Sequence, residues 1–158
     1  MAQRSRPAGS LGKKKIIRKM TEIGWCELVD ITSLGLTQVH AKMDSGAATS
    51  SIHATRIKPF DEEGAPWVEF SFHASAKDHV IRLRAPVVDR RMVRSSNGKE
   101  QLRYVIAAQL KLGSLIWDGQ LTLANRGSMA FPVLIGRRGL KRGFLVNSGK
   151  KWMLGKPE

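Results

Sequence analysis

From Thr21 onward, short apolar runs rich in Val, Ile, Leu and Trp are separated by turn-forming residues at short intervals, the rhythm of a chain built from strands. The runs predict strands over residues 24–31, 39–43, 51–59, 66–74, 80–88, 102–112 and 115–123, with shorter ones at 132–135, 143–146 and 151–154. Turn chemistry falls between them, at Asp61-Glu62-Glu63-Gly64, Ser95-Ser96-Asn97-Gly98-Lys99, Gly113-Ser114 and Asn125-Arg126-Gly127. Asn97-Gly98 suits a tight hairpin, because both residue types tolerate positive φ. Only the stretch from just after Gly136 to Arg142 invites a helix. The pattern therefore predicts a small, mainly β and mostly antiparallel barrel or sandwich. It carries no chemistry of its own.

Length and composition narrow the class. A chain of 158 residues holds one domain with a sizeable core, and 42% hydrophobic with 25% charged residues excludes bulk disorder, collagen-like repeats and a disulfide-stapled miniature. The single cysteine, Cys26, closes no intramolecular disulfide, which fits a reducing, cytoplasmic compartment and excludes cysteine-cluster metal sites. No apolar run approaches the ~18 residues of a membrane span, so a soluble protein is expected.

The net charge of +14 is unevenly spread: residues 1–19 carry seven basic residues and no acidic one. That segment lacks the apolar stretch of a secretory signal. It is expected to be a disordered basic arm, followed by one folded domain over residues 20–158. Such an arm either attracts phosphate, nucleic acid or acidic protein without specificity, or is a solvated leader with no duty.

The candidate chemistry begins at Ala41-Lys42-Met43-Asp44-Ser45-Gly46-Ala47-Ala48-Thr49-Ser50-Ser51-Ile52. It places the Asp44 carboxylate at the end of an apolar strand, on a turn whose hydroxyl and backbone N–H groups can hold it. Gly46 permits close backbone approach, and Ala47 leaves room for a substrate chain. Asp-Ser-Gly alone also marks ordinary turns. Later the chain reads Phe131-Pro132-Val133-Leu134-Ile135-Gly136-Arg137, an apolar run followed by Gly-Arg at a helix start.

Together, in this order, the two phrases resemble retropepsins, the aspartic proteases of retroviral type. More closely, the chain is similar to the bacterial RimK-associated group, also labelled "ATP-dependent zinc" proteases, over roughly Ile23 to Gly155. The shared phrases are Lys42-Met43-Asp44-Ser45-Gly46-Ala47 with Thr49-Ser50 and His53-Ala54, then Pro86-Val87-Val88-Asp89-Arg90-Arg91 to Arg94-Ser95-Ser96, and Leu134-Ile135-Gly136-Arg137 with Phe144-Leu145-Val146. The resemblance implies a retropepsin-like β-barrel, a flap hairpin over residues 91–103, a loop at 134–136 bracing Asp44, and one short helix after Gly136. It implies a catalytic set of Asp44, Ser45 and Gly46.

An aspartic protease needs two carboxylates sharing one proton, and this chain has one Asp-Ser-Gly, so the resemblance implies a homodimer with Asp44 contributed by each subunit. Ser45 would support the pair, which would titrate as a unit. The sequence departs from the retroviral pattern at Ala48, where an acidic partner of the later arginine is usual, and at Arg138, where Asn or Asp is usual. Arg137 is thus either re-paired elsewhere or free to hold an acidic ligand.

The labels "zinc" and "ATP" find little in this chain. It has no His-Glu-x-x-His, no cysteine pair, and His40, His53, His73 and His79 form no helical i, i+4 pair. No metal ligand set and no cofactor are expected. His53 is read as a packed or exposed residue, and His73 and His79 as facing water. With no phosphate-binding Gly-rich loop, the ATP label fits a partner.

Arg90, Arg91, Arg94, Lys99 and Arg103 crowd the expected flap, either as a solvated face or for recognition of an acidic peptide. Expected substrate-binding residues are Ala47, Arg91, Arg94, Gly98 and Arg137. The group's association with a glutamate ligase implies a substrate of added glutamates, or the ribosomal protein tail bearing them. The competing function is a catalytically silent basic module that recruits a glutamate ligase or the ribosome. A nucleic-acid-binding barrel lacks support, since Trp25, Trp67, Trp117 and Trp152 are scattered singly and read as core or dimer anchors.

Overall fold

In β2 (Cys26–Ile31) every second side chain from Glu27 onward, Glu27, Val29 and Ile31, is completely buried, as expected of a strand with one face on a core. The computed structural model describes residues 19–73, 79–94, 98–125 and 130–158. The predicted arm, apart from Lys19, lies outside the described residues. The remaining elements are β1 (Thr21–Gly24), β3 (Leu36–Met43), β4 (Ser50–His53), β5 (Thr55–Glu62), β6 (Ala65–Phe72), β7 (Ile81–Arg94), β8 (Glu100–Leu112), β9 (Leu115–Ala124), β10 (Val133–Ile135), α1 (Arg137–Leu140) and β11 (Phe144–Asn147).

Strands β2, β3, β10, β4, β9 and β8 are hydrogen-bonded in that order, and β2 also pairs with β8, which closes a six-stranded barrel. The β2–β3 register is irregular between Val29 and Ile31, where the other edge of β2 pairs with β8 through Asp30 and Ile31. Two of the barrel pairings, β3 with β10 and β4 with β9, are parallel. The barrel is filled by Val29, Ile31, Ile52, Ile106, Leu121 and Ile135, among others, none with measurable exposure. Beyond β8 the sheet continues through β7, β6 and β5, while β1 and β11 form a separate parallel pair.

The predicted short helix appears directly after Gly136, and the mainly β architecture is observed. Several predicted boundaries are corrected. Residues 24–31 are two strands, because Trp25 leaves the ladder to bond Lys150 and Met43. Residues 51–59 divide at Ala54, where its N–H turns to the Ala124 carbonyl. A one-turn 3₁₀ helix, Thr32–Leu34, ends on Gly35 at φ 72°. Residues 151–154 are not a strand: the N–H groups of Met153 and Leu154 donate to the buried Glu27 carboxylate, at 2.9 and 3.0 Å, instead of to a neighbouring strand. The Glu63-Gly64 turn has both residues at positive φ, matching the turn signal there.

Candidate functional site

The Asp44 loop is pinned from three sides. β10 runs parallel to the end of β3, with Ile135 beside Met43, and the Asp44 N–H donates to the Ile135 carbonyl at 2.9 Å. Within the loop, the Gly46 N–H donates to Asp44 Oδ1 at 2.9 Å, which fixes one carboxylate oxygen, and the Ala47 N–H donates to the Asp44 carbonyl at 3.2 Å. From behind, the Gly136 N–H donates to Ser50 Oγ at 3.0 Å, and the Arg137 and Arg138 N–H groups donate to the Ala47 and Ala48 carbonyls at 2.7 and 3.2 Å. Asp44 is half-buried, whereas Ser45 and Gly46 are exposed. The predicted bracing of the Asp44 loop by residues 134–136 is therefore present in atomic detail.

The long hairpin of β7 and β8 stands beside this loop, paired from Val87 opposite Ile106 to Arg94 opposite Glu100. It occupies the predicted flap position, and β7 carries the predicted strand 80–88 onward to Arg94. Ser95, Ser96 and Asn97 lie outside the described residues; Gly98, at φ 84°, begins the return. Between hairpin and loop lies a cavity of 560 Å³ whose wall includes Ala47, Thr49, Arg91, Val93, Arg103 and Leu134.

The structure distributes the expected substrate-binding residues unequally. Ala47 and Arg91 line the cavity. Arg91 Nε also donates to Asp89 Oδ2 at 2.8 Å, and this bond, with the Arg90 N–H, holds the Asp89 carboxyl below the usual aspartate range. Arg94 is outside the cavity wall, largely exposed, and paired with Glu100 at 3.3 Å. Arg137 turns onto the loop itself, Nη1 donating to the Ser45 and Gly46 carbonyls, each at 3.0 Å. With no acidic residue at position 48, it braces the loop through its carbonyls.

Sequence reading named Arg103 only among the flap cations, outside the expected substrate-binding set, and did not single out Glu27. Arg103 lines the cavity directly opposite Arg91, whereas counting outward from a two-residue Asn97-Gly98 turn sets Tyr104 there, so only the observed register brings the two arginines together. Glu27, a carboxylate on the apolar alternation of β2, accepts three backbone N–H bonds. Of the histidines, His53 is buried with its ring edge-on to His73 at 5.4 Å. His73, expected to face water, has a buried Nδ1. No third His, Cys, Asp or Glu among the described residues joins these two imidazoles. Among the described residues no helix is long and apolar enough to cross a membrane.

Comparison with known proteins gives three results. Residues 22–157 match the RimB-like family, described as retropepsin-like aspartic endopeptidase RimB. Proteins named probable alpha-L-glutamate ligase are similar to this chain, at 43% identity in Shewanella pealeana and 38% in Desulfotalea psychrophila, each over 83% of this chain. The chain spans only 28% of the length of those ligases. A crystal structure from Legionella pneumophila, described as a protein of unknown function, superposes with a TM-score of 0.70 over 85% of this chain and 98% of that one. At 24% identity it shares the fold. The barrel, the flap hairpin, the pinned Asp44 loop and the profile match over residues 22–157 make this chain a member of the RimB-like family of retropepsin-like proteins.

Proposed function

We propose that the chain is an aspartic peptidase that acts as a homodimer on acidic or glutamylated peptide, including the glutamate-bearing tail of a ribosomal protein. The observation that carries this reading is the Asp44 loop, with one carboxylate oxygen set by the Gly46 N–H and its backbone bonded by Ile135, Arg137 and Arg138. A turn held at so many points keeps a carboxylate in one orientation, which is what general base catalysis on water demands. Asp44 from a second subunit supplies the partner: the ionised carboxyl takes a proton from water, and the protonated one polarises the scissile carbonyl. Attack of that water forms the C–O bond of a tetrahedral intermediate. Proton transfer to the amide nitrogen then lets the C–N bond break. Ser45, exposed next to Asp44, supports the pair across the interface.

An acidic substrate is supported by the arginines of the flap and by the relatives named as glutamate ligases, which carry a segment like this chain within a longer polypeptide. The partner proposed is accordingly an alpha-L-glutamate ligase or its product. The test is mass spectrometry of a peptide ending in a run of α-linked glutamates, incubated in the presence of a chelator with the unmodified chain and with Asp44→Asn. Cleavage by the first and none by the second supports the reading. Intact peptide in both, or cleavage by both, defeats it.

A further inference from the structure

Arg91 and Arg103 face each other directly across the flap hairpin, and both line the 560 Å³ cavity beside the Asp44 loop. Like charges in directly opposite positions of an antiparallel pair repel and destabilise the pairing. One carboxylate compensates them only in part: Asp89 accepts from Arg91 Nε, whereas Arg103 has no ion pair among the described residues. Arg103 Nε is moreover buried without a hydrogen-bond partner among them. A guanidinium N–H withdrawn from water and left unmatched is costly, and its presence beside a second arginine marks a place prepared for an anion.

The cavity wall specifies which anion. Val93 and Leu134 offer apolar surface, Thr49 and Thr122 hydroxyls, and among the described residues no Asp or Glu lines the space. A carboxylate on a short methylene stem satisfies the arginines and the apolar wall together. A compact inorganic anion would leave that wall uncovered. The volume lies within the ~300–1,000 Å³ of ligand pockets. Ala47 and Thr49 belong to the turn that carries Asp44, so an occupant of this cavity lies next to the bond to be cut.

From this we infer that Arg103, with Arg91, forms a carboxylate subsite that makes a glutamyl side chain adjacent to the scissile bond the specificity element of the enzyme. The inference rests on the peptidase reading for its place in catalysis, but the subsite is measurable as binding alone. Arg103 is a substrate-binding residue in this account and takes no part in proton transfer.

The test uses the full chain carrying Asp44→Asn, which binds without cutting, and compares a pentaglutamate peptide with its pentaglutamine counterpart by calorimetry. The expected result is that pentaglutamate binds about tenfold or more tightly than pentaglutamine, and that Arg103→Met abolishes the difference. Arg103→Lys should retain part of it, since the charge stays while the fork is lost. Thermal unfolding serves as control: Arg103→Met should melt no lower than its parent, because removing one of two facing charges relieves repulsion. Equal affinity for the two peptides, or discrimination that survives Arg103→Met, overturns the subsite. A marked loss of melting temperature assigns Arg103 to structure instead and also overturns it. Selective binding to Asp44→Asn without cleavage by the unmodified chain would defeat the peptidase reading and leave the subsite standing.

Discussion

The carbonyl oxygen of Thr49 lies 2.5 Å from the point where a β-carbon on Gly136 would stand. Real β-carbons do not come that close to backbone oxygen, so only glycine fits, although its φ of −90° suits any residue. The contact is with the turn that carries Asp44, and packing here is thus inseparable from the site. Gly136→Ala is expected to destabilise the fold by about 1–3 kcal/mol, as overpacking does, and to lose most cleavage activity by displacing the loop. Urea unfolding beside a peptide cleavage assay checks both effects.

Arg137 gives the clearest separation between positioning and substrate binding. Since its Nη1 bonds the Ser45 and Gly46 carbonyls, Arg137→Ala should lower kcat by about tenfold and leave KM within about twofold. A raised KM with unchanged kcat would mean that the guanidinium holds substrate instead, as the sequence alone allowed.

The legible part of this protein was the part written in local patterns. The short apolar runs, the Gly-Arg helix start and the order of the Asp44 and Gly136 phrases each depend on neighbouring residues, and the mainly β fold, the helix after Gly136 and the bracing of the Asp44 loop are observed. The illegible part depended on partners distant in sequence. Residues 151–154 have the composition of a strand, yet their N–H groups are taken by Glu27, 126 and 127 positions away from Met153 and Leu154. Arg103 looked like one of several flap cations until the hairpin register set it opposite Arg91. Arg94, three positions from Arg91, points instead to Glu100 and away from the cavity.

Glu27 joins β1, β2 and the C-terminal segment through one carboxylate, with N–H donors from Gly24 at 2.6 Å, Met153 at 2.9 Å and Leu154 at 3.0 Å. Glu27→Gln preserves shape but turns one acceptor into a donor facing N–H groups, and should cost about 2 kcal/mol. Glu27→Ala strands three donors and should cost more. Equilibrium denaturation of the two variants against the parent gives the comparison.

Acid should loosen the base of the flap. The Asp89 carboxyl is held below the ordinary aspartate range, chiefly by its bond from Arg91, with the Arg90 N–H assisting. A lowered folded value means that the contact is fully present above the ordinary aspartate range and is lost only as pH falls through the depressed midpoint. Carboxyl-carbon NMR should find that midpoint below the usual aspartate value, and Arg91→Ala should raise it. An Asp89 midpoint unchanged by Arg91→Ala would show that the bond does not persist in solution.

In the proposed enzyme, two Asp44 carboxyls from two subunits share the work of one site. Mixing the unmodified chain with Asp44→Asn in varied proportion, allowing subunits to exchange, and measuring cleavage of the glutamate-bearing peptide tests it directly. Only dimers of two unmodified subunits hold the pair, so activity should fall as the square of the unmodified fraction. Activity that falls in simple proportion to that fraction, each subunit cutting on its own, would contradict the account.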